Sequence, residues 1–224
     1  MFRFFDGEFW AIVATSLQVT LSSTAISFVL GVPLGIWLEG ARFKGKGLAI
    51  SVNRALMAAP PVVMGLVVYL LLMRSGPLGF LGLLFTVEAM VVAQVLLITP
   101  IICGTVHAAA ARNAGGIRAF ARTMGASRRQ TLLLLVKELR GGIYFALVAG
   151  FGRATSEVGA IMIVGGNIRH HTRTMTTAIA MLRNQGDFER AINFGIFLMV
   201  LAFVLQLVAG IVSRKDREHI HENF

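Results

Sequence analysis

The chain has 224 residues, of which 56% are hydrophobic and 14% charged, with a formal net charge of +10. A soluble globular domain has about 45–50% apolar and about 25% charged residues, so this composition excludes an ordinary soluble domain and a disordered chain. The single cysteine, Cys103, lies in an apolar run, which excludes a disulfide framework and a cysteine metal site.

Five apolar stretches are long enough to cross a membrane, which takes about 20 apolar residues. Four of them lack Asp, Glu, Lys and Arg, and the fourth in chain order contains only Arg153 and Glu157. The stretches are 9–38, 55–73, 89–111, 141–168 and 191–213. The sequence therefore predicts an all-α polytopic membrane protein with about five transmembrane helices.

Glycine and proline mark special positions in these stretches. Gly31 and Gly35 have the spacing that permits close contact between two membrane helices. Prolines interrupt apolar helices because they lack a backbone N–H. Kinks are predicted at Pro33, Pro60, Pro61 and Pro100.

Basic residues are distributed unequally between the segments that connect the stretches. With the N-terminus outside, the inner segments contain more than twice as many Lys and Arg residues as the outer ones. This bias predicts that the N-terminus is outside and the C-terminus inside. Most of the positive charge then faces anionic membrane lipid, so we expect no nucleic-acid partner.

The two terminal segments and the segment after the fourth apolar stretch are predicted to lie outside the membrane core. Residues 1–10 are rich in Phe and Trp, which predicts a segment in the outer membrane interface. Residues 213–224 are predicted to form a charged tail inside. Residues 169–190 are predicted to form an outer loop in which Thr174 caps a short helix.

The segment Gly40–Gly47, G-A-R-F-K-G-K-G, matches a nucleotide-binding loop except at its last position. There Gly47 replaces the Ser or Thr that would ligate Mg²⁺, and no strand is predicted before the segment. We therefore expect no ATP-binding site in this chain, and any ATP used with it must be hydrolysed by another subunit.

The histidines and carboxylates form no catalytic or metal-binding pattern. No H-E-x-x-H motif is present, and no Asp or Glu lies at ligand spacing on a predicted membrane face. We therefore predict no catalytic residue, no metal ligand and no enzymatic activity for the chain itself.

Arg153 and Glu157 are the charges inside a predicted span. At a spacing of four residues they share one helix face and can pair, which offsets the cost of placing either charge in the bilayer. Two interpretations stay open. The pair lines a polar path or gate, or it locks two spans together.

The inner segment 112–140 has the most informative pattern. Its residues 118–136 read R-A-F-A-R-T-M-G-A-S-R-R-Q-T-L-L-L-L-V, so Gly125 separates a helical run from a second, apolar helix. Such a hairpin with an exposed apolar face is typical of a docking element for a partner protein. An amphipathic helix that rests on lipid is the alternative.

The residues around Gly125, A-R-T-M-G-A-S, resemble the cytoplasmic coupling loop of type I ABC importer permeases. The generic loop motif is E-A-A, three residues, G, nine residues and I-x-L-P. Ala121 and Gly125 fit it, whereas Ala119, Phe120 and the segment 135–138 depart from it. Further segments resemble molybdate and tungstate permeases: 58–79, 150–168, 173–179 and 186–188.

This resemblance implies a type I ABC importer permease domain over residues 11–212, with 112–140 as its coupling loop. It implies import of a tetrahedral oxyanion by alternating access, with tungstate expected and molybdate or sulfate as alternatives. The residues expected to couple the chain to an ATPase are Ala121, Arg122, Gly125, Ala126, Ser127 and Arg128. Arg153 and Glu157 are the candidates for the translocation path or gate.

The resemblance also implies partners. We expect a homodimer, two cytoplasmic ABC ATPase subunits that use ATP and Mg²⁺, and an extracytoplasmic oxyanion-binding protein. We expect no cofactor on this chain, and a location in the cytoplasmic (inner) membrane of a bacterium or archaeon.

Two other classes of protein stay as remote alternatives. A passive channel needs no docking hairpin on the inner side. An intramembrane enzyme needs paired catalytic groups at membrane depth, where the sequence places only Arg153 and Glu157.

Overall fold

The computed structural model describes residues 7–221, with side chains up to residue 207, and its regular elements within this range are all helical. The helices are α1 (Gly7–Gly40), α2 (Lys46–Met57), α3 (Pro61–Leu72), α4 (Val87–Thr123), α5 (Arg128–Glu138), α6 (Arg140–Thr155), α7 (Gly159–Gly165), α8 (Met175–Asn184) and α9 (Phe188–His221), and a short 3-10 helix lies at Gly79–Leu81. The predicted all-α class is confirmed.

Three helices are long and apolar enough to cross a membrane: α1, α4 and the part of α9 at Phe188–Leu207. Two helix pairs, α2 with α3 and α6 with α7, reach a spanning length only when each pair is taken together. The described residues therefore contain three candidate spans, or five if each of the two bent pairs is one span.

The second predicted span is interrupted at its prolines. Pro60 is extended, with φ −62° and ψ 128°, and Pro61 is the first residue of α3. Proline disfavours helical geometry at the residue before it but fits the first turn of a helix. These prolines therefore separate two helices instead of kinking one, whereas Pro33 and Pro100 lie inside continuous helices.

The inner segment 112–140 is mostly helical. Helix α4 continues through Gly115 and Gly116 to Thr123, and α5 begins at Arg128. The predicted hairpin around Gly125 is present, and its first arm is a direct extension of a membrane helix.

The chain divides into two compact units. The first unit contains the described residues of Met1–Ser23, Pro60–Gln94 and Phe151–Phe224, and the second unit contains Thr24–Ala59 and Val95–Gly150.

Small and aromatic residues build the packing of the first unit. Phe9 stacks on Phe194 with ring centroids 5.1 Å apart, inside a buried cluster contributed by α1, α8 and α9. Helix α3 packs on α7 at Gly65, where a Cβ would lie 2.6 Å from the Cα of Ala160. Close approach of these two helices therefore requires glycine at position 65.

In the second unit, α1 and α4 pack in parallel. A Cβ at Gly31 would lie 2.9 Å from the Cβ of Ile102, and one at Gly35 would lie 2.9 Å from the Cβ of Val106. The step from Gly31 to Gly35 on α1 therefore matches the step from Ile102 to Val106 on α4, so the two helices run in the same direction. The close contact predicted from the Gly31 and Gly35 spacing is confirmed.

The terminal segments are described in part. Of the predicted interfacial segment 1–10, residues 1–6 lie outside the described residues and the others begin α1. Of the predicted tail 213–224, the backbone continues α9 to His221 and residues 222–224 lie outside the described residues. Thr174 caps α8 in a capping box with Thr177, as predicted.

Candidate functional site

Helix α4 ends in a tight turn at Gly125. The glycine has a φ of +67°, in the left-handed region. The N–H of Ala126 donates to the carbonyl of Ala121 at 2.9 Å, and the N–H of Gly125 donates to the carbonyl of Arg122 at 3.1 Å. This pair of bonds is a Schellman motif, which satisfies the last carbonyls of a helix and favours glycine at its left-handed position.

Helix α5 begins directly after this turn, with Ser127 as its cap. The Oγ of Ser127 accepts the N–H of Gln130 at 3.4 Å, and Oε1 of Gln130 accepts the N–H of Ser127 at 2.8 Å. This capping box fixes the start of α5 immediately after the end of α4. The structure thus gathers the predicted coupling residues in one ordered hairpin of the second unit: Ala121, Arg122, Gly125, Ala126, Ser127 and Arg128.

The hairpin exposes apolar and basic side chains together. Ala121 is buried, whereas Arg122 and Arg128 are exposed. The exposed apolar side chains of the two arms are Phe120, Met124, Leu132, Leu133 and Val136. This surface can pack into an apolar groove with an acidic rim on another protein, since apolar area supplies affinity and rim charges guide association.

The predicted Arg153–Glu157 ion pair forms in the first unit, across a helix break. Nη1 of Arg153 lies 2.8 Å from Oε2 of Glu157, and the side chains are 30% and 3% exposed. The prediction that both residues share one continuous helix face is wrong, because α6 ends at Thr155 and α7 begins at Gly159. The other carboxylate oxygen of Glu157 accepts the N–H of Ala160 at 2.9 Å and so serves the start of α7.

Polar side chains from other helices satisfy the backbone at this break. Oγ1 of Thr176 donates to the carbonyl of Glu157 at 2.9 Å, and Nε2 of Gln94 donates to the carbonyl of Ala154 at 3.0 Å. Gln94 in turn accepts a 2.6 Å hydrogen bond from Ser23. A break in an apolar helix that is shielded from water requires such partners for its freed carbonyls.

Sequence reasoning missed these polar partners. The available signal was Gln94, a long polar side chain in an otherwise apolar span, together with hydroxyl residues repeated at helical spacing along α1: Ser16, Thr20, Ser23, Thr24 and Ser27.

A small cavity of about 20 Å³ lies beside Glu157 in the first unit. Its polar lining includes Ser16, Thr20, Gln94 and Thr176. A cavity of this volume holds about one water molecule. It is too small for a tetrahedral oxyanion, so the Glu157 carboxylate occupies a tight, internally paired site, and the partly exposed Arg153 is the accessible charge of the pair.

Relatives of known name match almost the whole chain. The tungstate uptake system permease protein TupB of Peptoclostridium acidaminophilum is 41% identical over 204 residues, which are 91% of this chain and 90% of that protein. TupB of Campylobacter jejuni is 34% identical over 90% of this chain and 86% of that protein. The molybdenum transport system permease protein ModB of Escherichia coli is 28% identical over 93% of this chain and 95% of that protein.

Solved transporters have the same fold. A chain in the crystal structure of a bacterial ABC transporter involved in the import of the acidic polysaccharide alginate superposes with a TM-score of 0.77 at 20% identity, covering 94% of this chain and 80% of that chain. The family described as binding-protein-dependent transport system inner membrane component matches residues 31–218. The chain therefore belongs to this family, the type I ABC importer permeases, and is a multi-pass membrane protein.

Proposed function

We propose that this chain is the permease subunit of an ATP-driven importer of tungstate. The observation that supports the cargo best is the identity of 41% to a tungstate uptake permease over nine-tenths of the chain. The observation that supports the ATP-driven mechanism is the ordered hairpin around Gly125, which exposes an apolar and basic surface.

The hairpin docks into a cytoplasmic ABC ATPase subunit. ATP and Mg²⁺ bind to that partner, and this chain supplies no catalytic residue, cofactor or metal ligand. Because the Schellman motif and the capping box leave no flexible linker in the turn, the hairpin moves as a rigid body with α4. Closure of the ATPase dimer is thereby converted into rocking of the membrane helices between inward-open and outward-open states.

This mechanism places the hairpin on the inner side, with the N-terminus outside. The parallel packing of α1 and α4 supports this arrangement, since two spans separated by one further span cross the membrane in the same direction. A homodimer in the cytoplasmic membrane of a bacterium or archaeon would supply twice the number of spans to enclose the path.

Arg153 and Glu157 have different roles at the translocation path. The partly exposed guanidinium of Arg153 attracts the oxyanion, and Glu157 holds that guanidinium and starts α7. Partial neutralisation suits transport, because a dianion bound tightly inside the path would not leave it.

The remaining partner is an extracytoplasmic binding protein that delivers the oxyanion to the outer face. The alginate transporter of the same fold has been crystallised in complex with its periplasmic protein. Tungstate, molybdate and sulfate share charge and tetrahedral shape, so we expect the binding protein to perform most of the selection.

Molybdate is the second candidate cargo, on the strength of the molybdenum permease relative, and sulfate is the third. The lower identity of the molybdenum relative favours tungstate. Calorimetry of the purified binding protein with tungstate, molybdate and sulfate decides between them, and tightest binding of tungstate is the expected result.

A crosslinking experiment tests the docking of the hairpin. Cys103 is buried and unpaired, so one introduced cysteine gives a specific product. Met124→Cys, at a position 70% exposed on the hairpin, should crosslink to the ATPase. Phe80→Cys, at a position 82% exposed in the 3-10 helix, is the matched control and should not.

A transport experiment separates the importer from a passive channel. The permease, ATPase and binding protein are reconstituted in vesicles, and radiolabelled tungstate uptake is measured with and without ATP. Uptake that requires ATP and all components is expected. Uptake by the permease alone would identify a channel and overturn the proposed function.

A further inference from the structure

Arg118 and Glu39 form a two-point contact between α4 and α1 in the second unit. Nη1 of Arg118 donates to Oε1 of Glu39 at 2.9 Å, and Nη2 donates to Oε2. The side chains are 31% and 15% exposed. A bidentate pair of this kind fixes the relative orientation of its two groups, which a single surface contact does not.

Glu39 lies at a position where its own helix disfavours it. It is in the last turn of α1, which contains no basic residue, and a carboxylate there is repelled by the negative end of the helix dipole. Lys46 donates to the backbone carbonyl of Glu39 at 2.6 Å. A Cβ at Gly40 would lie 2.9 Å from Nη2 of Arg118, so glycine leaves room for the guanidinium. Arg118 and Lys46 therefore supply the positive charge that the last turn of α1 lacks.

Arg118 lies on the arm of α4 that leads into the hairpin. It is one turn before Ala121, whose carbonyl accepts the N–H of Ala126 in the turn. The helix is continuous from Arg118 to Thr123. A displacement of the hairpin therefore reaches Arg118 without an intervening flexible segment.

We propose that Arg118 and Glu39 are a positioning pair that transmits the motion of the hairpin to α1. This inference rests on the proposed function. Farther along the two helices from the hairpin, α1 and α4 pack closely at Gly31 and Gly35, and His107 makes a polar contact with the backbone of Gly35. The ion pair lies nearer the hairpin than these contacts, so the end of α1 follows α4 when the ATPase moves the hairpin. Without the pair, the ATPase hydrolyses ATP while less substrate crosses the membrane.

The test measures tungstate imported per ATP hydrolysed by the reconstituted complete complex. We expect Glu39→Gln and Arg118→Gln to lower this ratio by about fivefold or more, the scale of a typical coupling free energy, while ATP hydrolysis continues. The exchanged pair Glu39→Arg with Arg118→Glu should restore the ratio in part. A ratio that stays at the wild-type value in both single variants would overturn the proposal.

A matched control uses the ion pair at the other end of α1. Arg169 binds Glu8 through two hydrogen bonds of 2.9 and 2.6 Å in the first unit. Arg173 binds the same carboxylate at 3.3 Å, so the matched variant is Glu8→Gln, which weakens both contacts and should leave the ratio unchanged. If it lowers the ratio as much as Arg118→Gln does, the effect belongs to ion pairs in general and the positioning role is wrong.

Two further outcomes are informative. If the glutamine variants do not assemble, Arg118→Lys keeps the charge but loses the two-point geometry, and it should assemble and still lower the ratio. An unchanged ratio for Arg118→Lys would show a purely stabilising charge and overturn the positioning role. If the wild-type complex imports no tungstate, the proposed function as a tungstate importer is overturned, and this result is distinct from a failure of the positioning pair.

Discussion

Oε1 of Glu157 accepts the backbone N–H of Ala160 at 2.9 Å while Oε2 of the same carboxylate binds Arg153 at 2.8 Å. The acidic member of the pair therefore has two tasks, one electrostatic and one in starting α7. Exchanging the two residues would not be a symmetric test, because an arginine at position 157 cannot accept the N–H of Ala160. Variants must separate the two tasks.

Removal of the Glu157 carboxylate should destabilise the protein. Glu157→Ala leaves the partly exposed Arg153 without its counter-charge and the N–H of Ala160 without its acceptor, and an unsatisfied buried donor costs about 1–3 kcal/mol. Thermal unfolding of the purified permease in detergent measures the loss. Glu157→Gln, which keeps an acceptor oxygen, should lose less. Equal stability of the alanine variant and the wild type would contradict this account of the break.

The double variant Arg153→Gln with Glu157→Gln tests whether charge at this position serves transport. Neither glutamine carries a charge that needs a partner, and the oxygen of Glu157→Gln can still accept the N–H of Ala160, so we expect a folded protein. Uptake per folded molecule should fall, because the attraction for the oxyanion is gone. Unchanged uptake would mean that the pair has only a structural role.

Gly125→Ala should impair the hairpin without unfolding the membrane helices. A side chain in the left-handed region costs about 1–2 kcal/mol, although the space around Gly125 is open. We expect weaker co-purification of the ATPase and slower uptake. Gly115→Ala is the matched control, since Gly115 lies inside α4 with no neighbour within 4 Å of a Cβ, and alanine there favours the helix by about 1 kcal/mol. Equal ATPase binding by both variants would show that the turn at Gly125 does not contribute to docking of the ATPase.

Gly35→Ala should separate α1 from α4. The added Cβ would lie 2.6 Å from the carbonyl oxygen of Cys103, and a backbone atom cannot rotate away as a side chain can. Overpacking of this kind typically costs about 1–3 kcal/mol, measurable as a lower midpoint of thermal unfolding. Gly47→Ala, in helix α2 where no atom lies within 4 Å of the new Cβ, should unfold at or slightly above the wild-type temperature, because alanine favours the helix.

The fold was predictable to the level of spans, and less so at their interruptions. Hydropathy reveals where a chain is apolar, and the stretch 55–73 is apolar on both sides of Pro60, so it appeared as one span. Similarly, the charges after Ala111 mark the end of the apolar part of α4 but not the end of the helix. Helix termination depended on Gly125, which the sequence identified correctly as the turn of the hairpin.

The candidate site was predictable where it is local in sequence. The hairpin residues are neighbours along the chain, and the spacing of Arg153 and Glu157 was enough to predict their pairing. Arg118 and Glu39 are 79 positions apart, and in the sequence Arg118 is one of several basic residues that signal membrane orientation. This ion pair depends on how α1 packs against α4. Counting basic residues in each segment predicts membrane orientation but not such packing.

The matching four-residue steps of α1 and α4 also determine which changes of chain length the protein can absorb. A residue inserted between Gly31 and Gly35 would rotate all later positions of α1 by about 100° and turn Gly35 away from Val106. A residue inserted in the exposed turn between Gly40 and Lys46 would leave this register intact. Tolerance to insertion should therefore change abruptly near the end of α1.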